Sequence, residues 1–242
     1  GKDRFDHHQM EGVGKRENGI PHASFGLVWK KYGEKITGSA EVKLEIDEIL
    51  VQPVDALDNG FDLTSPKIGN TRPFDVGDVV ELSRPTWKEK GNWDERFLEA
   101  VSWAQNLLTR LIKVERDLVE ARNVVKKIYE ESEDKRLIVL DEQHGFGREA
   151  VMDVLVDYPE PLFAVFFRSD LKNWQVLAIR KNKMTFESRQ ALPENWRALG
   201  GEDFERATGE KGSVFCHRSG FMAVTETKEG AVALARKCLL TK

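Results

Sequence analysis

The sequence predicts an α/β chain that ends in an α+β module. Three observations carry that assignment. Apolar residues recur every three or four positions through much of 24–128, the period of a helix with one buried face. Between 137 and 224 the pattern changes to short β-branched and aromatic runs bounded by turns. The final stretch, 227–240, returns to helical spacing.

Taken in order, Phe5 to Gln9 reads as a strand end entering a loop. Residues 11–21 are rich in Gly, Asn and charge and continue that loop. Phe25, Val28, Trp29 and Tyr32 form a helical stripe, with Gly33 as its natural stop. A second helix is expected from Glu41 to about Leu57 on the stripe Val42, Ile46, Ile49, Leu50 and Val54. It delivers Asp55 and Asp58 to its end, just before the turn Asn59-Gly60. Residues 62–92 read as loop with short elements. Trp93, Phe97, Val101, Ala104, Leu108, Leu111 and Ile112, continued by Leu118, Val125 and Ile128, predict one long helix or two stacked ones, closing in the solvated run 130–136. Leu137 to Leu140 is a short strand. Pro161–Phe167 and Trp174–Ile179 form a hairpin, and Val214–Cys216 and Phe221–Val224 form another strand pair. Thr227 caps a last helix whose apolar face is Ala231, Leu234, Ala235 and Cys238.

Composition excludes several classes. The chain has 242 residues, 37 Lys+Arg and 41 Asp+Glu, for a formal net charge of −4. Its longest apolar runs, such as 162–167, are too short to span a bilayer, and no signal-peptide pattern is present. Cys216 and Cys238 make neither a disulfide framework nor a thiolate zinc site, and suit a reducing compartment. The mild acidity argues against bulk electrostatic binding to nucleic acid but is compatible with a local basic groove.

Three constellations offer chemistry. Asp6, His7 and His8 put a carboxylate and two imidazoles side by side, a donor set for a divalent metal and a substrate anion; alone, the tripeptide reads better as a solvated loop. Asp55 and Asp58 lie three apart at a helix C-terminus, where the helix dipole disfavours carboxylates unless a cation offsets them. An exposed Asp–Asn–Gly capping turn accounts for the pair equally well. Oxygen and imidazole ligands together suit Mn²⁺ or Mg²⁺. The third group is Arg189, Arg197, His217 and Ser219, with Phe186, Trp196, Gly220 and Phe221 nearby: guanidinium forks for phosphate and aromatic faces for bases. Trp196 and Cys216 also suit a core, and His22 and His144 each stand alone in the sequence and suggest structural roles.

Several motifs in fixed order extend nearly end to end: Phe5-Asp-His-His-Gln9, Ser24-Phe-Gly-Leu27, Val54-Asp-Ala-Leu-Asp-Asn-Gly60, Leu82-Ser-Arg-Pro-Thr-Trp87, Phe186-Glu-Ser-Arg189, Leu192-Pro-Glu-Asn-Trp-Arg197, and Val214-Phe-Cys-His-Arg-Ser-Gly-Phe221 with Thr227-Lys-Glu-Gly-Ala231. On these the chain resembles the melanocyte proliferating gene 1 exonuclease family of the DHH phosphoesterase superfamily. The resemblance implies a partial DHH-type phosphoesterase domain with a parallel sheet over 1–92, a helical connection over 93–136, and a C-terminal α+β substrate-binding domain over 137–242. It implies a 3′–5′ exonuclease acting on RNA or short oligonucleotides with two divalent cations, Mn²⁺ foremost and Mg²⁺ as the substitute, and an activated water. In it Asp6, His7 and His8 are catalytic, His7, Asp55 and Asp58 hold metal, and Arg189, Arg197, His217 and Ser219 face substrate. It implies no membrane partner and is compatible with a homodimer and, in a prokaryote, with the cytoplasm. The family's His-x-Asp-Asp motif and a further metal aspartate ahead of the DHH motif are not found here. A shortened chain, weak in metal binding and activity, is therefore expected. The competing readings are a phosphohydrolase for small nucleotides or pyrophosphate, and a non-catalytic RNA-binding or scaffold remnant.

Overall fold

The computed structural model describes residues 5–6, 8, 14–64, 68–69 and 71–240. The chain divides into two compact units, 1–117 and 118–242.

The first unit is helical among its described residues. Helix α1 (Ser24–Thr37) runs through Gly33, the expected stop, and ends at Gly38, whose φ of 72° is left-handed. Gly33 serves packing instead of termination. A Cβ there would press on the Trp29 ring at 3.0 Å and the Lys43 stem at 3.1 Å, so the bare backbone lets helix α2 (Ala40–Ile46) lie close. Trp29 is buried in that contact, and its indole N–H donates to the Lys43 carbonyl at 3.1 Å. Ser39 caps α2 by accepting from the Val42 N–H.

The single helix expected over 41–57 is broken in its middle. Helix α2 passes into a π-helical turn, Asp47–Val51, and then into helix α3 (Gln52–Asp58). Pro53 supplies the physical reason. It has no N–H for the carbonyl one turn back, and its ring crowds that carbonyl, so the turn widens. A further short helix, α4 (Val76–Leu82), lies within 62–92, held by a reciprocal cap between Asp75 and Asp78. Among the described residues of 1–92 the expected parallel sheet does not form. Among the described residues this region has no strand, only an isolated bridge between Lys15 and Pro21. The apolar spacing from 24 to 58 has a helical period, and a helix with that stripe cannot present the alternating faces of a strand. Of the strand expected at 5–9, residues 7 and 9 lie outside the described residues, and residues 5, 6 and 8 are not in a strand.

Helix α5 (Trp93–Glu131) is one continuous element of 39 residues. Its last turns belong to the second unit, where Val125 and Tyr129 are buried. The second unit is built on a five-stranded mixed sheet: β1 (Leu137–Val139), β2 (Phe163–Arg168), β3 (Asn173–Ala178), β4 (Ser213–Cys216) and β5 (Met222–Thr225), in the order β1-β2-β3-β5-β4. Strands β1 and β2 are parallel and the other pairs antiparallel. Both expected strand pairs form. A parallel pair needs a crossover, and helix α6 (Arg148–Leu155), which the sequence pattern does not announce, provides it. Helix α7 (Gly201–Thr208) is likewise unannounced. Helix α8 (Lys228–Leu240) starts where expected, with the Thr227 hydroxyl accepting from the Gly230 N–H at 3.1 Å.

Both faces of the sheet are covered, which is why β2 reads as an unbroken apolar run. Phe163 and Val165 point to one core with Leu234, Ala235 and Cys238 of α8. Ala164 and Phe166 point to a second core with Val125 of α5 and Val151 and Leu155 of α6. Each fully buried side chain of this size contributes roughly 1.5–3 kcal/mol. No helix among the described residues is long and apolar enough to cross a membrane.

Candidate active site

The chemistry of the first unit centres on Asp55. The π-turn and α3 place this carboxylate fully inside, with 0% exposure. Its Oδ1 accepts from the Gly26 N–H at 2.9 Å. A Cβ built at Gly26 would collide with the same carboxylate, so this close approach requires glycine. The compensating charge is Arg16, from the segment that reads as a plain loop. Its Nε and Nη2 donate to Asp47 at 3.1 and 2.9 Å, and its Nη1 lies 2.8 Å from Asp55 Oδ2. That last contact is an ion pair whose N–H does not aim at the oxygen. Gln52 donates to Asp47 at 2.8 Å, and Asn18 to Gln52 at 2.7 Å, fixing Asp47 in turn. Burial opposes the charge on Arg16, but its contacts with Asp47 and Asp55 outweigh it and hold the guanidinium pKa above its usual value.

His22 does not stand alone as expected. It is buried, with Nδ1 3.9 Å from Asp55 Oδ2. Burial first, then the nearby charges of Arg16 and Lys30, push its pKa below the ordinary imidazole value despite Asp55 and Asp47. Asp58, by contrast, is exposed; the two aspartates of the motif face different surroundings. Asp6 Oδ1 and His8 Nδ1 lie 3.0 Å apart on the surface, and the neighbouring Phe5 ring packs 6.0 Å from that of Tyr32 in α1. His7 lies outside the described residues.

Among the described residues the donor set falls short of what the implied pair of divalent cations would need. Asp55 Oδ2 and His22 Nδ1 are buried without hydrogen-bond partners, as ligands would be, but the guanidinium of Arg16 lies against the same oxygen. Among the described residues no group of three or more His, Cys, Asp or Glu side chains is gathered as a metal site requires. Asp55 in this arrangement is balanced by an arginine.

In the second unit the four candidate substrate residues have distinct settings. Arg189 is directed into the fold: Nη1 donates to the Pro161 carbonyl at 2.9 Å and Nη2 to the Val156 carbonyl at 2.7 Å. Burial lowers its pKa. Arg197 donates to the Leu192 carbonyl at 3.0 Å and approaches Glu194 at 3.7 Å. Gly220, expected to let a ligand approach, instead lets Arg197 and the Leu192 carbonyl approach; its φ is 67°. His217 and Ser219 do meet, Nδ1 to Oγ at 2.8 Å, in an exposed turn where the His217 ring lies 4.5 Å from Phe221. Trp196 and Cys216 are core residues. Burial pushes the thiols of Cys216 and Cys238 up to about 11 and about 12, which leaves both inert as nucleophiles.

Sequence reasoning missed Arg16 and His22. The available signal was composition: a buried aspartate needs a partner, and the nearest basic residues upstream of the Ser24 helix were those of the loop.

Comparison with known proteins extends the picture. The MYG1_exonuc family model, described as an uncharacterised protein family (UPF0160), matches residues 1–239. The MYG1 protein of Caenorhabditis elegans is 30% identical over 98% of this chain and 78% of its own length. That of Dictyostelium discoideum is 26% identical over 98% of this chain and 78% of its own. The Homo sapiens MYG1 exonuclease is 26% identical over 98% of this chain and 70% of its own. No solved structure matches significantly.

Proposed function

The chain belongs to the MYG1 exonuclease family, and from that premise we propose that it is a nuclease that hydrolyses phosphodiester bonds in single-stranded RNA or short oligonucleotides, removing nucleotides from the 3′ end. The observation that carries the reading is the match over nearly the whole chain to relatives named exonuclease. The reading takes 1–92 as part of a DHH-type phosphoesterase domain, 93–136 as its helical connection and 137–242 as the substrate-binding part. A divalent-cation requirement, Mn²⁺ foremost, belongs to the reading as an expectation. The described residues supply too few donors for two cations, so no step is assigned to a metal.

The test is incubation of the purified protein with 3′-labelled single-stranded RNA, with Mn²⁺, with Mg²⁺ and with EDTA. The expected result is stepwise loss of the label in Mn²⁺ and its arrest by EDTA. Activity that persists in EDTA would remove the cation from the reading. Binding without shortening at every Mn²⁺ concentration would leave an RNA-binding protein, and turnover confined to dinucleotides or pyrophosphate would leave a small-molecule phosphohydrolase.

A further inference from the structure

One cleft of the second unit joins two cations and exposed aromatic faces. It has a volume of about 690 Å³, within the range of ligand sites, and it is lined by Arg148, Arg180, Phe186, Ser188, Ser219 and Phe221 among others. The guanidinium carbon of Arg180 lies 4.6 Å from the centroid of Phe186, and that of Arg148 lies 5.7 Å from the centroid of Phe221. Phe186 is 84% exposed, a large apolar ring held out in water at the end of a short hairpin. That hairpin is itself ordered: Arg180 bridges Ser188, and the Lys181 N–H donates to the Glu187 carbonyl at 2.9 Å.

Three arginines of this unit lie against carboxylates, Arg122 with Asp153 at 3.1 Å, Arg168 with Asp170 at 2.6 Å and Arg197 with Glu194 at 3.7 Å, and Arg189 is taken up by backbone carbonyls. No described carboxylate pairs with Arg148 or Arg180. Of the acidic residues on the cleft wall, Asp153 is bound by Arg122, and Glu149 stands in the first turn of α6. Two guanidinium groups left to face one space repel each other unless an anion joins them. A guanidinium stacked on a ring keeps its edge N–H groups free for phosphate, and the outer face of the ring remains open for a planar partner.

We infer that this cleft is a binding site for single-stranded nucleic acid, with a backbone phosphate held between Arg148 and Arg180 and an unstacked base lying on Phe186. The Ser188 and Ser219 hydroxyls on the same wall offer hydrogen bonds to the sugar or phosphate. Ser219, through His217, ties the cleft to the turn that the sequence motifs mark. The inference deepens the nuclease reading and rests on it for the class of ligand; the geometry itself calls for a planar group beside an anion. Because every base has a stacking face, the site reads single-strandedness and not sequence.

Fluorescence anisotropy with labelled ten-nucleotide RNA and DNA single strands, and with the same sequence as a duplex, tests it. Single strands are expected to bind the wild-type protein and duplex to bind more weakly, since its bases are already stacked. Phe186→Ala should weaken single-strand binding about tenfold and leave duplex binding unchanged. Arg148→Ala with Arg180→Ala should lower the slope of log affinity against log salt by about 0.7, the value for the one phosphate charge left without its arginines. Exposure of Phe186 makes loss of folding no explanation, and unchanged circular dichroism would confirm it. Unchanged affinity in F186A, an unchanged salt slope in the double variant, or equal binding of duplex would overturn the site. Cleavage assays on the same proteins separate the two ideas. Variants that bind normally in a protein that cleaves RNA refute the cleft alone. Wild type that binds through these residues yet never cleaves refutes the nuclease alone.

Discussion

Replacing Arg16 by methionine should damage the first unit out of proportion to its place in a surface-looking loop. Arg16 is only 10% exposed along its side chain, and it sits between Asp47, 17% exposed, and Asp55, 0% exposed. Methionine fills much of the same volume and removes the charge. Asp47 keeps its bond from Gln52. Asp55 keeps one hydrogen bond, from the Gly26 N–H, and faces a His22 held toward its neutral form. Removing one partner from a buried pair costs about 3–5 kcal/mol, because the remaining charge stays desolvated. Taking the low end, since Asp55 keeps its hydrogen bond from Gly26, the expected cost is about 3 kcal/mol. Hydrogen exchange followed by mass spectrometry on peptides from 24–58 reads it locally. At that cost the slowest amides should exchange about a hundredfold faster. Asp55→Asn keeps the acceptor for Gly26 while removing the charge. Combined with R16M it should recover roughly 1–3 kcal/mol relative to the sum of the single variants. Exchange accelerated less than about fivefold by R16M, or strict additivity in the double variant, would refute the buried-pair argument.

Two further outcomes follow from the same geometry. His22 has a folded pKa below its unfolded value of 6.5, so the unfolded chain takes up its proton first as pH falls. The stability this group contributes is full above about pH 6.5 and is lost as pH drops through the folded pKa; urea midpoints at pH 7.5 and 5.5 should differ less in His22→Gln than in wild type, and an identical difference would exclude His22. Arg189→Met removes two charged hydrogen bonds to carbonyls and should cost the second unit about 2 kcal/mol in urea unfolding while leaving RNA affinity intact; unchanged stability with lost affinity would instead put this guanidinium on substrate.

Much of the fold was legible because its signals are local. The Trp29 stripe, the β2–β3 hairpin and the Thr227 cap each depend on neighbours within a few residues, and each formed. The interruption at 47–51 was less legible, since Pro53 says that a helix is disturbed but not whether it kinks, stops or widens. The candidate site divided in the same way. Asp55 could be selected from its motif, whereas its separation from Asp58, buried against exposed, depends on which face of α3 meets α1.

The sequence by itself determined the helical and strand periods, the order of the elements and, through its motifs, the family. Tertiary structure alone decided which charges meet. Arg16 and Asp55 are far apart along the chain, and nothing in either segment specifies the other; only packing of α3 on α1 brings the carboxylate to the Gly26 N–H and the loop guanidinium to 2.8 Å. The same holds for Arg148, Arg180, Phe186 and Phe221, drawn from a helix start, a hairpin and a strand end into one cleft by the sheet order. Periodicity is a property of adjacent residues, and desolvation is a property of whatever the folded chain lays across them.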